Sequence, residues 1–200
     1  MNTHIHKKAL KVKNGRTLPK NRWAETPNYE NTPQEWPVID RQKPGAGFRH
    51  VITVRQLQQF LEILPDWREL SRGLNGIVLA PGDVEMMGWH KNGVVGICAW
   101  PRHLPQHWET GFVQDHQEIL DRLGVPLREL SKGTTQCLFT EESARGFSLM
   151  HILPHELGHH HDRMNTRSQL ETARGEAYAE EYALRYSEQI WNDYFRVFGW

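Results

Sequence analysis

Pro154-His155-Glu156-Leu157-Gly158-His159-His160-His161-Asp162 is the stretch that decides how this chain is read. On a helix, residues four apart stand one above the other, so His155 and His159 can offer two imidazoles to a single ion. Two imidazoles completed by a carboxylate form a donor set suited to zinc. Glu156, one step round from His155, is placed to meet a water on that ion rather than the ion itself, where a general base must stand. Hydrolysis with one Zn²⁺ per chain is the leading expectation.

A five-residue motif recurs by chance, so its surroundings have to decide. Upstream, Phe147, Met150, Ile152 and Leu153 make an apolar approach, and Thr140 or Ser143 can cap the helix start. The motif is therefore expected on a mostly buried helix. Pro154 removes a backbone bond, which predicts either a bend at that point or the beginning of the helix there. Gly158 costs a helix interior about 1 kcal/mol against Ala, so a close neighbour is expected against it.

The third ligand must come from elsewhere, and the segment from Gly175 to Ala183 is the best donor. Ala179, Tyr182, Tyr186, Ile190 and Tyr194 recur at three- and four-residue steps, an apolar helical stripe. Glu176 and Glu180 fall along or beside it. Carboxylates bordering a core-facing stripe are costly unless paired or bound to a metal. Glu181 reads as part of a solvated face.

His-Glu-Leu-Gly-His-His-His-Asp at 155 to 162, followed by Glu-Ala-Tyr-Ala-Glu-Glu-Tyr at 176 to 182, resembles the gluzincin metallopeptidases. The similarity is closest to catalytic domains of the anthrax lethal factor and proline-proline endopeptidase type, with a related Glu-x-x-Ala pattern in ImmA/IrrE-like peptidases. It covers roughly residues 140 to 195. The resemblance implies a zinc-dependent endopeptidase acting on a protein or peptide, with His155, His159 and Glu176 as ligands and Glu156 as base. It implies that Glu180 and Asp162 support the ligands from behind. Those endopeptidases carry a tyrosine seven residues before the ligand glutamate, where this chain has Gln169. The donor to the oxyanion then has to be sought among Tyr178, Tyr182, Arg174, His103, His107 and His116.

Other readings of the same residues are weaker. A metzincin pattern needs a histidine at position 165, which is Asn. The five histidines between 151 and 161 could form a nonspecific metal-binding tract, but a tract requires neither Glu156 nor the downstream carboxylates. His160 and His161 read as partly exposed helix residues or supporting donors, and His151, one turn before His155, as a boundary histidine able to reach the cleft. From another functional class, the rival is a zincin-fold regulatory or partner-binding module that cleaves nothing.

The fold expected is α+β and zincin-like: a small mixed sheet packed on the motif helix, then a helix that brings the glutamate. Thr53 with Gln56 predicts a capped helix ending at Pro65. Gly76 to Ala80 reads as a buried strand, and Trp89 to Trp100 as a hairpin turned at Asn92-Gly93. A helix from Thr110 to Leu123, stopped by Gly124, precedes a fourth strand at Gln136 to Phe139. Residues 1 to 45 read as an extended polar arm, with Pro19, Pro27, Pro33, Pro37 and Pro44 and seven Lys or Arg before Glu25. Residues 46 to 200 would form the catalytic domain.

Two hundred residues with 38% apolar content can bury a real core. The formal net charge of zero argues against nucleic acid as a partner, apart from a contact by the basic arm. Cys98 and Cys137 have no metal-type spacing and read as buried free thiols in strands. Trp100 and Trp191, two of eight tryptophans, are expected in the core. With no signal-like or membrane-spanning apolar run, a cytoplasmic protein without a membrane partner is expected.

Overall fold

The computed structural model describes residues 12–13, 16–17, 28–169 and 171–199. It is a mixed α and β structure with small sheets. Two short strands, β1 (Val12–Lys13) and β2 (Arg16–Thr17), pair antiparallel. The rest of the expected arm before residue 28 lies outside the described residues.

The expected arm boundary at residue 45 is corrected: the chain is already part of the fold well before it. α1 (Asn28–Asn31) places Tyr29 in the core at 4% exposure, and β3 (Val38–Arg41) joins the main sheet. The Tyr29 hydroxyl donates to Asp40 Oδ2 at 2.6 Å, which ties the turn of helix to that strand. Pro37 stands directly before β3, where a missing N–H costs a strand nothing.

β4 (Phe48–Arg49) leads into α2 (Val54–Ile63). Thr53 accepts from the Gln56 backbone while the Gln56 side chain accepts from the Thr53 N–H, so both helix-start donors are satisfied. Leu57, Phe60 and Leu61 form its buried face. The short α3 (Trp67–Leu70) then leads to β5 (Gly76–Ala80), which is buried along its whole length.

β6 (Gly88–Lys91) and β7 (Val94–Cys98) form the expected hairpin. Asn92 and Gly93 both adopt positive φ, 51° and 78°, the turn geometry that matches strand twist. The sheet order is β3-β5-β7-β6, with β3, β5 and β7 parallel and β6 antiparallel on the edge. Trp100 lies outside the hairpin: it belongs to β8 (Trp100–Pro101), which pairs with β4. Its indole N–H donates to Ser148 Oγ at 2.8 Å in the core.

A second sheet is only partly legible in the sequence. β9 (Gln106–Glu109) precedes α4 (Thr110–Asp115) and α5 (Gln117–Arg122), and β10 (Leu127–Ser131) and β11 (Thr134–Cys137) come after them. The single helix expected from Thr110 to Leu123 is thus two, broken at His116, whose φ of −107° and ψ of 12° leave the helical region. Gly124 ends the pair at φ 61°. The fourth strand starts two residues earlier than expected and pairs with β9 and β10, not with the main sheet. Cys98 and Cys137 are buried free thiols, and burial pushes both up to about 11.

α6 (Glu141–Phe147), a π-helical turn (Ser148–Ile152) and α7 (Leu153–Met164) run without interruption. Thr140 caps α6 with Ser143 as its reciprocal partner. Pro154 is the second residue of α7, in the first turn where a proline is tolerated and just after the wider π turn, so regular α-helix begins there although the helical run does not. A proline cannot donate to the carbonyl four residues back, which here is Met150, and the Ser187 hydroxyl of the next helix donates to that oxygen instead. That next helix, α8 (Gly175–Phe198), buries Ala179, Tyr182, Tyr186, Ile190 and Tyr194. Trp191 is half-buried beneath the Arg122 guanidinium, 3.9 Å from its ring centre.

α7 crosses α8 at Gly158. A methyl added there would lie 2.9 Å from Ala179 Cα and 3.0 Å from Tyr182 Cβ, a separation that backbone has to move to relieve. Gly158→Ala is expected to destabilise the fold by about 1–3 kcal/mol in chemical denaturation, because overpacking outweighs the gain in helix propensity. Stability equal to or above that of the parent would overturn the close-approach account. Among the described residues no helix is long and apolar enough to cross a membrane.

Candidate metal centre

Three side chains from two helices meet at one point. His155 Nε2 lies 3.1 Å from Glu176 Oε2, and His159 Nε2 lies 3.4 Å from Glu176 Oε1. One ligand atom from each of the three falls within 4.8 Å of the others. Donors around a tetrahedral zinc at ordinary bond lengths stand about 3.3 Å apart. The residues present fit that ion in chemistry and in spacing. His155 and His159 sit on successive turns of α7, and Glu176 comes from the first turn of α8.

The electrostatics agree with a place for positive charge. Burial pulls the His155 imidazole down, but the hydrogen bond to Glu180 and the carboxylates of Glu156, Glu180 and Glu176 outweigh it and hold its pKa above the ordinary value. His159 is lowered, mainly by burial. Glu156 is 8% exposed, and desolvation pushes its carboxyl up to about 7 against the pull of His155. A divalent ion beside it would draw that value back down.

Glu180, on α8 one turn beyond Glu176, has Oε2 3.2 Å from His155 Nδ1. A ring proton held on Nδ1 by that carboxylate leaves Nε2 free to act as ligand. Asp162 does something else. It touches neither ligand imidazole: it is 1% exposed and accepts from the Ala173 N–H at 2.8 Å, the Arg174 N–H at 2.7 Å and Arg174 Nε at 3.1 Å. These donors more than offset burial and hold its carboxyl below the ordinary value. Asp162, expected to support the ligands from behind, shares their side of α7, but its oxygens are taken by the turn that launches the Glu176 helix, which it anchors. Asp162→Ala is expected to cost about 1–3 kcal/mol of stability. In a titration with Zn²⁺ as the probe, affinity at the three converging side chains should fall roughly 10-fold although both imidazoles remain. Unchanged affinity in a metal titration would remove this positioning role.

The cleft above the three ligands has a volume of about 1070 Å³ and is lined by Gly88, His90, His116, His151, Glu156 and Glu180, among others. Of the residues weighed as oxyanion donors, only His116 lines it. Tyr178 is 2.7 Å from His161 Nδ1, Tyr182 stacks on Tyr186, Arg174 is held by Asp162, and His107 accepts from Gln136. His103 is exposed. His160 is neither exposed nor near the ligands: it is buried, and its Nε2–H donates to the Arg72 carbonyl at 3.0 Å.

The place of β6 on the sheet edge, against the candidate base, escaped sequence reasoning. A methyl on Gly88 would fall 2.7 Å from Glu156 Oε1 and 2.7 Å from Ile152 Cγ2, so β6 lies directly against the candidate base. A glycine opening a hairpin strand was the available signal, and it reads equally well as a turn residue. His116, His151 and Glu180 form a second group able to hold a metal ion. No protein-family model, curated protein or solved structure matches the chain.

Proposed function

We propose that the protein is a zinc-dependent endopeptidase of zincin-like fold, with the gluzincin ligand pattern. The observation that carries this reading is the convergence of His155, His159 and Glu176 beside a buried Glu156, beneath an antiparallel edge strand. Zinc held by those three residues would supply Lewis acidity, bringing the pKa of a coordinated water to roughly 7 and polarising the scissile carbonyl.

The chain's own residues supply the rest. Glu156 accepts a proton from the attacking water and returns it to the leaving nitrogen, so a single carboxylate serves as base and then as acid. Its burial beneath β6 sets the carboxylate beside the three converging donors and away from bulk water. Glu180 holds the His155 ring in place through Nδ1. β6 offers the backbone groups of Gly88 to Lys91 on the side away from β7, where an extended peptide can add as a strand. An elongated substrate suits a cleft at the upper end of small-molecule pocket volumes, with the Glu176 side chain 83% exposed at its rim.

The test compares peptide termini in cells expressing the parent chain and Glu156→Gln. New termini that depend on Glu156 support the proposal and reveal the substrate. A partner bound by both forms and cut by neither would sink it in favour of a binding module.

A further inference from the structure

We propose a second divalent-cation site, formed by His116, His151 and Glu180 and separated from the first centre by the imidazole of His155. The three residues come from three elements: the break between α4 and α5, the π-helical turn and α8. His151 Nε2 is 3.6 Å and His116 Nε2 is 4.0 Å from Glu180 Oε2. A contraction of several tenths of an ångström brings these donors to the edges of a zinc tetrahedron, about 3.3 Å.

The His116 ring is oriented for this. Its Nδ1 lies 2.7 Å from the Phe112 carbonyl, an acceptor only, so Nδ1 carries a proton and Nε2 is the ring atom that faces Glu180 and is left to act as a ligand. The His151 side chain is only 3% exposed, and its ring flanks both neighbours, with centroids 4.7 Å from His116 and 6.1 Å from His155.

A second observation points to a missing ligand. Glu180 Oε1 is buried and has no hydrogen-bond partner among the described residues. A carboxylate already engaged by His155 through Oε2 would not leave its other oxygen dry and unpaired without cost. An ion held by this carboxylate gives Oε1 a partner and removes that cost. All three residues line the same cleft as the first centre, so the ion has a route in. Two imidazoles and a carboxylate select a borderline ion, Zn²⁺ or Co²⁺, over Mg²⁺ or Ca²⁺.

The site is read by binding rather than turnover, so it stands or falls apart from the peptidase proposal. Metal-free protein is dialysed against Zn²⁺ and the bound metal counted, with the visible spectrum of the Co²⁺ form as a second readout. Two equivalents per chain are expected, falling to one in His116→Ala and to one in His159→Ala, each with the parent's far-ultraviolet circular dichroism. Glu180→Gln should lose the second equivalent and bind the first roughly 10–100-fold more weakly, since it also releases His155. Saturation of the parent at one equivalent, or retention of two in His116→Ala, overturns the proposal. If His159→Ala keeps two equivalents, the first centre fails and this one stands.

Discussion

Glu156→Gln is expected to lower kcat by about 10²–10⁴-fold, the range that a positioned general base contributes, while the protein keeps its zinc. That loss corresponds to about 3–5 kcal/mol of barrier. The substitution preserves shape and the contact beneath β6, but an amide cannot accept the proton. Glu156 is 8% exposed and stands beside, not among, the three converging donors, so its neutralisation leaves the metal's grip untouched. Steady-state kinetics on a cleaved peptide, with bound metal measured in the same sample, separates the two effects. A variant that retained activity would remove Glu156 from the chemistry.

His155→Ala and Glu176→Ala are expected to abolish both activity and tight zinc binding. Each deletes one of three donors, and the fall in affinity should exceed the roughly 10–100-fold that loss of an outer partner costs. The two variants should differ in stability. His155 is a half-buried ring engaged by Glu176 and Glu180, whereas the Glu176 side chain is 83% exposed. Glu176→Ala should therefore unfold close to where the metal-free parent does, and His155→Ala earlier. Zinc retained at parental affinity in Glu176→Ala would place the third ligand elsewhere.

Much of the architecture was written in local chemistry. Thr53 and Gln56 announce α2, Asn92-Gly93 announces the hairpin, and the run Gly76 to Ala80 is apolar enough to be a buried strand. Elements whose signals are tertiary escaped. β3 is short and sits in a proline-punctuated segment, and what makes it a strand is pairing with β5 and the distant Tyr29. β10 is largely exposed and polar, so no alternation marks it. The pairing of His155 with His159 follows from helix spacing, and the resemblance picks Glu176 from the downstream carboxylates, but the partners of Asp162 follow from neither. Its aspartate reads the same whether it faces an imidazole or the backbone of residues 173 and 174, and only the path of the chain decides.

The exchange at Met150 couples Pro154 on one helix to Ser187 on the next, with consequences for which substitutions the chain can accept. Position 154 has no N–H to offer the Met150 carbonyl, the Ser187 hydroxyl meets that oxygen, and a buried acceptor that loses such a donor costs about 1–3 kcal/mol. Restoring the amide with Pro154→Ala would offer that oxygen a backbone donor, so Ser187→Ala should be harmful in the parent and nearly silent in the proline-free background. The two helices that carry the candidate ligands are thus joined through a hydroxyl whose worth depends on the proline opposite it.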